Sequence, residues 1–133
     1  MGKAKCATCH FIPLFNGVTP PKYIVSESEV LGVPVSLADS TLDPDPGYYG
    51  VIGVDAYKHA FKIPTIRDIN KTAPYMHNGI YQTLDQVMEF YNKGGAAGLG
   101  IHLPNQTLSE ENLQLTEKEK EDIIAFMNSL ESK

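Results

Sequence analysis

Two cysteines and a histidine stand within five consecutive positions near the start of this 133-residue chain, in the order Cys6-Ala7-Thr8-Cys9-His10. Two thiols at this spacing on a helical turn can each add to one vinyl group of a haem. The histidine that follows is then placed to coordinate the haem iron. The pentapeptide therefore predicts one covalently bound haem c, with Cys6 and Cys9 as thioether anchors and His10 as the proximal ligand.

Three interpretations of the cysteine pair without haem remain open. A thioredoxin-like dithiol needs a βαβ setting, which the sequence does not offer. A zinc site needs four ligands, and because the chain has only two cysteines, His59, His77 or His102 would have to contribute. A disulfide that closes so small a loop would add little stability. The colour of the purified protein distinguishes these alternatives from the haem interpretation.

Length and composition indicate one ordinary globular domain. The chain has 42% hydrophobic and 20% charged residues, which is typical of a domain with a single core. Its formal net charge of -5 argues against nucleic acid or an anionic membrane surface as a partner, and it permits a basic protein partner. No run approaches the roughly 20 apolar residues of a spanning helix, so we expect no membrane-spanning segment.

Nine prolines and eleven glycines punctuate the chain, many of them in its first hundred residues, where we expect mainly loops and turns. Before residue 80, regular structure is expected at three places: short helices over residues 3–12 and 64–70, and a small hairpin of residues 48–54 and 58–63. A loop region as long as residues 13–60 is unusual and becomes reasonable if it wraps a prosthetic group. The predicted fold is all-α, a cytochrome c-like domain with long irregular loops around one haem.

Two later helices have clear start signals. Thr83 is followed three positions later by Gln86, and Thr116 by Glu119, which is the pattern of a capping box at a helix N-terminus. Apolar residues recur on one face of each segment, at Leu84, Val87, Met88 and Tyr91 and at Ile123, Phe126, Met127 and Leu130. We expect the final stripe to pack in the core against the first helix and the haem.

Several separate motifs resemble one protein family. Residues 61–79 read FKIPTIRDINKTAPYMHNG, similar to the stretch from F-K-x-P to T-x-P-Y-x-H in bacterial di-haem cytochrome c peroxidases and the related enzyme MauG. Residues 83–87 and 115–120 resemble the next helix start and the final helix of the same family. The match runs from Cys6 almost to the end of the chain, and it is to the C-terminal domain of the family, which holds the electron-transfer haem.

The resemblance implies an organisation and a function. Family members have two cytochrome c-like domains; the N-terminal haem reacts with hydrogen peroxide and the C-terminal haem passes electrons to it. We therefore expect residues 1–133 to be a single cytochrome c domain, a fragment that lacks the N-terminal peroxidatic domain. Its expected partners are that domain and a small electron-donor protein. Whether the fragment alone is an enzyme stays open, and a stand-alone mono-haem electron carrier is the alternative.

A periplasmic location follows from the same resemblance. Haem attachment by this motif takes place outside the cytoplasm, yet the motif begins at residue 6 and leaves no room for a signal peptide. We therefore expect the chain to be an excised piece of a longer periplasmic protein.

The sixth ligand of the iron has three candidates. In the peroxidases it is a Met on the helix after the Y-x-H motif, and in MauG it is a Tyr; the matching position here holds Tyr91. Met76 and Met88 are the rivals, because a thioether is also a haem ligand and raises the reduction potential, whereas an ionised Tyr oxygen lowers it. A core tyrosine with its hydroxyl on a backbone group is the structural alternative for Tyr91.

Four further residues have family roles that compete with structural ones. Arg67 can bind a haem propionate through a bidentate pair of hydrogen bonds, or it can form a surface salt bridge. His77 is either a haem-edge or inter-domain residue or a histidine that holds the turn around Pro74. The resemblance places a calcium ion on the backbone carbonyls of Thr72 and Pro74, ligands of the hard type that calcium prefers.

Overall fold

The computed structural model describes residues 2–132 as three helices, four short strands and four 3-10 turns. The strands are β1 (Ser28–Val30), β2 (Pro34–Ser36), β3 (Asp39–Leu42) and β4 (Ala60–Lys62). The helices are α1 (Tyr49–Ile52), α2 (Leu84–Asn92) and α3 (Glu117–Ser129). The 3-10 turns are Cys6–Thr8, Asp55–Tyr57, Ile69–Lys71 and Ala97–Leu99.

The expectation of an all-α fold is wrong. Strand β1 pairs with β4 in one antiparallel two-stranded sheet, and β2 pairs with β3 in another. In the first sheet Glu29 lies opposite Phe61, residues far apart in sequence. Such pairing depends on long-range contacts, and no local pattern of three residues predicts it.

The predicted helix over residues 3–12 is reduced to the 3-10 turn Cys6–Thr8. Lys5 has a left-handed φ of 50°, which a continuous α-helix excludes. The Thr8 hydroxyl donates to the Lys5 carbonyl at 2.7 Å. This side chain takes the place of the Cys9 backbone N–H, which would donate to that carbonyl in an α-helix.

The other two predictions for the first part of the chain are also wrong. Only Ile69–Lys71 is helical in the segment expected to form a helix over 64–70, because the Ile66 N–H donates instead to the Phe15 carbonyl at 3.0 Å. The predicted hairpin of residues 48–54 and 58–63 is absent from the described structure. Its first half is helix α1, and β4 pairs with β1 instead.

The two predicted capping boxes are confirmed. The Gln86 N–H donates to the Thr83 hydroxyl at 3.3 Å and the Thr83 N–H to the Gln86 side chain at 3.2 Å. At α3 the matching distances are 3.2 Å and 2.8 Å between Thr116 and Glu119. Each box satisfies backbone donors that a helix start leaves unpaired, so both helices begin where the sequence indicates.

Helices α2 and α3 meet in the main apolar core. Met88 and Leu84 of α2 pack there with Met127 of α3, together with Ile66 and Leu115. The adjoining face of α2 packs in another cluster, in which the rings of Tyr81 and Phe90 are buried and Tyr91 is partly buried. Helix α2 is thus fixed on two sides. Among residues 2–132 no helix is both long and apolar enough to cross a membrane.

Candidate haem site

The 3-10 turn at the start of the chain presents both cysteines as free thiols. The Cys6 carbonyl accepts from the N–H groups of Cys9 and His10 at 3.2 Å and 2.9 Å. The Cys9 sulfur lies 3.7 Å from a carboxylate oxygen of Glu29. Burial raises the pKa of the Cys9 thiol, and the negative charge of Glu29 raises it further. Both cysteines are free, so the disulfide alternative receives no support.

His10 is oriented by the backbone of the loop that follows it. Its Nδ1 lies 3.2 Å from the carbonyl oxygen of Phe15, and since a carbonyl only accepts, Nδ1 carries the proton. Burial lowers the pKa of His10, which favours the neutral ring that binds metals. A backbone carbonyl that accepts from Nδ1 is the usual support of a histidine that binds a metal through Nε2.

Tyr91 shares a region with the cysteine turn. Burial raises the pKa of its hydroxyl, and the charges of Cys6, Cys9 and Glu29 raise it further, which requires these groups to lie within electrostatic range. Within residues 2–132 the Tyr91 hydroxyl makes no hydrogen bond. The backbone partner that a core tyrosine would need is therefore missing from the described contacts.

The two methionine candidates lie in the two clusters that helix α2 joins. Met88 is 4% exposed and packs with Leu84 and Met127 in the main core. Met76 packs against the same cluster as Tyr91, the one around Tyr81 and Phe90, and has a left-handed φ of 68°. The packing of Met76 therefore does not distinguish it from Tyr91, and the preference for Tyr91 rests on the family resemblance.

Arg67 and His77 lie at different places. The Arg67 guanidinium donates to the Pro13 carbonyl at 2.9 Å and sits over the Phe15 ring, 5.2 Å from its centre, so it adjoins the loop that orients His10. The His77 ring stacks on Phe61 with 3.7 Å between centroids, and its Nε2 is 3.4 Å from Asp43. His77 thereby links the turn after Pro74 to the loop before α1.

Thr72 and Pro74 are exposed, and the Thr72 hydroxyl donates to the Ile69 carbonyl at 3.0 Å. Across residues 2–132 no three His, Cys, Asp or Glu side chains are grouped to hold a metal ion. The zinc alternative for the cysteine pair therefore gains no support from the arrangement of the side chains.

The donor set of the site fits a haem c. Two free thiols stand at the attachment spacing, the His10 ring is oriented by the Phe15 carbonyl through Nδ1, and the charges of both cysteines act on the Tyr91 hydroxyl. One residue escaped the sequence analysis: Glu29, whose carboxylate contacts Cys9. The sequence marks Glu29 only as an acidic residue in the alternating run Ser26-Glu27-Ser28-Glu29-Val30. Such a run does not reveal which residues the strand will contact.

Comparisons with known proteins support the same assignment. The cytochrome-c peroxidase IdrP1 of Denitromonas iodatirespirans is 32% identical over 145 residues, which cover 97% of this chain and 37% of that protein. The methylamine utilization protein MauG of Methylorubrum extorquens is 28% identical over 131 residues, covering 98% of this chain and 32% of that protein. No family model matches the sequence.

A solved structure shows the same fold. The crystal structure of a MauG-like protein associated with microbial copper homeostasis superposes with a TM-score of 0.71 at 23% identity, covering 98% of this chain and 41% of that one. The chain thus spans 32% to 41% of the length of these three proteins. With relatives at this level along nearly its whole length, the chain belongs to the family of bacterial cytochrome c peroxidases and MauG proteins.

Proposed function

We propose that the chain is the haem c electron-transfer domain of a periplasmic di-haem enzyme, either a cytochrome c peroxidase or a MauG-like oxidase. The observation that carries this proposal is the Cys6–Cys9–His10 motif, with two free thiols and a histidine oriented by the Phe15 carbonyl, in a chain whose relatives are named cytochrome-c peroxidase and MauG. The stand-alone carrier fits less well, because the relatives are much longer proteins.

Each residue of the site has a defined task. Cys6 and Cys9 hold the haem covalently, and the Phe15 carbonyl holds the His10 ring in the tautomer that leaves Nε2 for the iron. Tyr91 would be the second protein ligand of the haem iron, where a hard phenolate oxygen would lower the reduction potential. Arg67, beside the same loop, binds a propionate. When bound, the haem would supply one-electron redox chemistry.

The rest of the parent enzyme completes the function. Another domain of the parent enzyme would carry the peroxide-reacting haem, and electrons from a donor protein would reach it through the site described above. A calcium ion on the carbonyls of Thr72 and Pro74 belongs to the same proposal, at the junction of the two domains. Both carbonyls belong to exposed residues, as such a junction requires.

Optical spectra of matched tyrosine variants test the ligand set. The chain is produced with a haem c maturation system, and Tyr91→Phe is compared with Tyr81→Phe, a buried tyrosine in the same cluster. We expect Tyr91→Phe alone to change the ferric spectrum. Met76→Leu and Met88→Leu should leave it unchanged. A spectrum that responds to either methionine and not to Tyr91→Phe would contradict the ligand assignment, and a colourless protein would contradict the haem itself.

A further inference from the structure

Glu29 places a carboxylate beside one of the two cysteines of the attachment motif. One of its carboxylate oxygens lies 3.7 Å from the Cys9 sulfur. In a c-type site this sulfur becomes the thioether that is bonded to the haem. A group in contact with the sulfur therefore lies at the edge of the bound haem, and at Cys9 that group is a carboxylate.

The sheet of β1 and β4 fixes the direction of the Glu29 side chain. In this sheet Glu29 lies opposite Phe61, and Ser28 lies opposite Lys62. Side chains alternate between the two faces of a strand, and residues directly opposite each other share a face. The Lys62 side chain therefore leaves β4 on the other face from Glu29. The residue that shares a face with Glu29 is apolar and brings no charge to it.

The charge beside Cys9 is negative and uncompensated in the described part of the chain. None of the ion pairs within residues 2–132 includes Glu29. The other charge that acts on the Cys9 thiol is a second carboxylate, that of Glu27. The aromatic ring opposite Glu29 stacks on His77, and the Nε2 of His77 already lies 3.4 Å from Asp43.

We propose that the carboxylate of Glu29 lowers the reduction potential of the haem held at Cys6, Cys9 and His10; this inference rests on the proposed function. Ferric iron carries one more positive charge than ferrous iron, so a fixed negative charge beside the haem stabilises the oxidised form. Glu29 is partly buried, and the interaction between two charges is stronger where water is partly excluded. Glu29 acts in the same direction as a phenolate ligand, but through space and without a bond to the iron.

Spectroelectrochemical titration of the haem-loaded chain at neutral pH tests the proposal. Each haem takes up one electron from the mediator, its ferric iron becomes ferrous, and no bond to Glu29 forms or breaks. We expect Glu29→Gln, which removes the charge and keeps the shape, to shift the ferric–ferrous equilibrium about threefold to tenfold towards the ferrous form. This shift is a rise of about 30 to 60 mV in the reduction potential, at about 59 mV per tenfold change for a one-electron couple.

Three further variants separate the charge of Glu29 from its packing. Glu29→Asp keeps a carboxylate and should restore most of the wild-type potential. Glu27→Gln should raise the potential by less than Glu29→Gln, because the charge of Glu27 acts on Cys9 more weakly than that of Glu29. Glu121→Gln removes an exposed carboxylate from α3, one that does not act on Cys9 or Tyr91, and it should leave the potential unchanged.

The ferric spectrum reports whether the iron ligands are intact, and it should be the same in Glu29→Gln as in the wild type. An unchanged potential in Glu29→Gln would overturn the proposal. So would a shift that Glu29→Asp shares in full, or one that comes with a changed spectrum, because the side chain would then act through packing or through the ligands. Loss of haem from Glu29→Gln would also overturn it, since the residue would then serve haem loading. A wild-type chain without haem would contradict the proposed function instead.

Discussion

Residues 84–132 and residues 2–83 are built in different ways. The later part contains the two longest helices, each begun by a capping box. The earlier part contains the four-residue α1, strands of three or four residues, and short 3-10 turns. All the large apolar side chains that are strongly exposed lie in the earlier part, with the exception of Phe126. Local signals therefore shape the later part, whereas the earlier part depends on long-range contacts, to which we expect the haem to add.

Removing the proximal ligand is the most damaging change to the earlier part. We expect His10→Ala to abolish stable haem loading, since the iron loses the ligand that the Phe15 carbonyl orients. Haem content by the pyridine haemochrome assay measures the effect, and His102→Ala, an exposed loop histidine, is the control. Normal haem incorporation in His10→Ala would contradict the assignment of His10 as the proximal ligand.

Haem attachment should stabilise the two parts unequally. We expect amide hydrogen exchange in residues 13–66 to be at least about tenfold slower in the haem-loaded chain than in Cys6→Ala/Cys9→Ala, because a bound group protects the elements that enclose it. Exchange in α3 should change much less. Mass-spectrometric exchange on both proteins measures this difference, and equal protection of both parts would remove the contrast drawn here.

The cap of α3 should contribute without any help from the haem. Thr116→Ala removes the hydroxyl that accepts the Glu119 N–H, and we expect a loss of about 1 kcal/mol in the free energy of unfolding. Thr116→Ser keeps the hydroxyl and is the control. Urea unfolding of both variants measures the loss, which should be the same with and without haem. A loss that differs with and without haem would show that the stability of α3 depends on the earlier part of the chain, which would contradict this prediction.

The smallest expected effect concerns Asp68, whose hydrogen bonds with Ser132 connect the two parts of the chain. Hydrogen bonds from Ser132 and Lys71 lower the pKa of Asp68 to about 2. Because this pKa lies below the unfolded value, the stabilisation is present above about pH 4 and is lost as the pH falls towards 2. We expect Asp68→Asn to be less stable than the wild type at neutral pH, with a difference that shrinks on acidification. Unfolding at several pH values measures this difference in stability. A difference independent of pH would contradict the stabilising role of the Asp68 carboxylate.

The same division explains what the sequence could predict. The starts of α2 and α3 follow from Thr83 with Gln86 and Thr116 with Glu119, patterns contained within one helical turn. The pairing of β1 with β4 joins residues 28–30 to residues 60–62, and no local pattern encodes that contact. The same holds for the left-handed backbone of Lys5, which ends the helix predicted over residues 3–12.

The residues of the site also divide into those that the sequence could predict and those that it could not. Cys6, Cys9 and His10 form a contiguous motif that the sequence reveals directly, and Tyr91 was indicated through the family resemblance. Glu29 was missed, since only the folded chain brings β1 to the cysteine turn. The roles of Arg67 and His77 remain predictions, and their contacts show only which loops they join.

The near-infrared spectrum of the ferric, haem-loaded chain tests the central claim most directly. Coordination by His10 and Tyr91 predicts a haem without the charge-transfer band of a methionine ligand, together with a visible spectrum that Tyr91→Phe alters. A methionine band that survives in Tyr91→Phe and disappears in Met76→Leu or Met88→Leu would contradict the account.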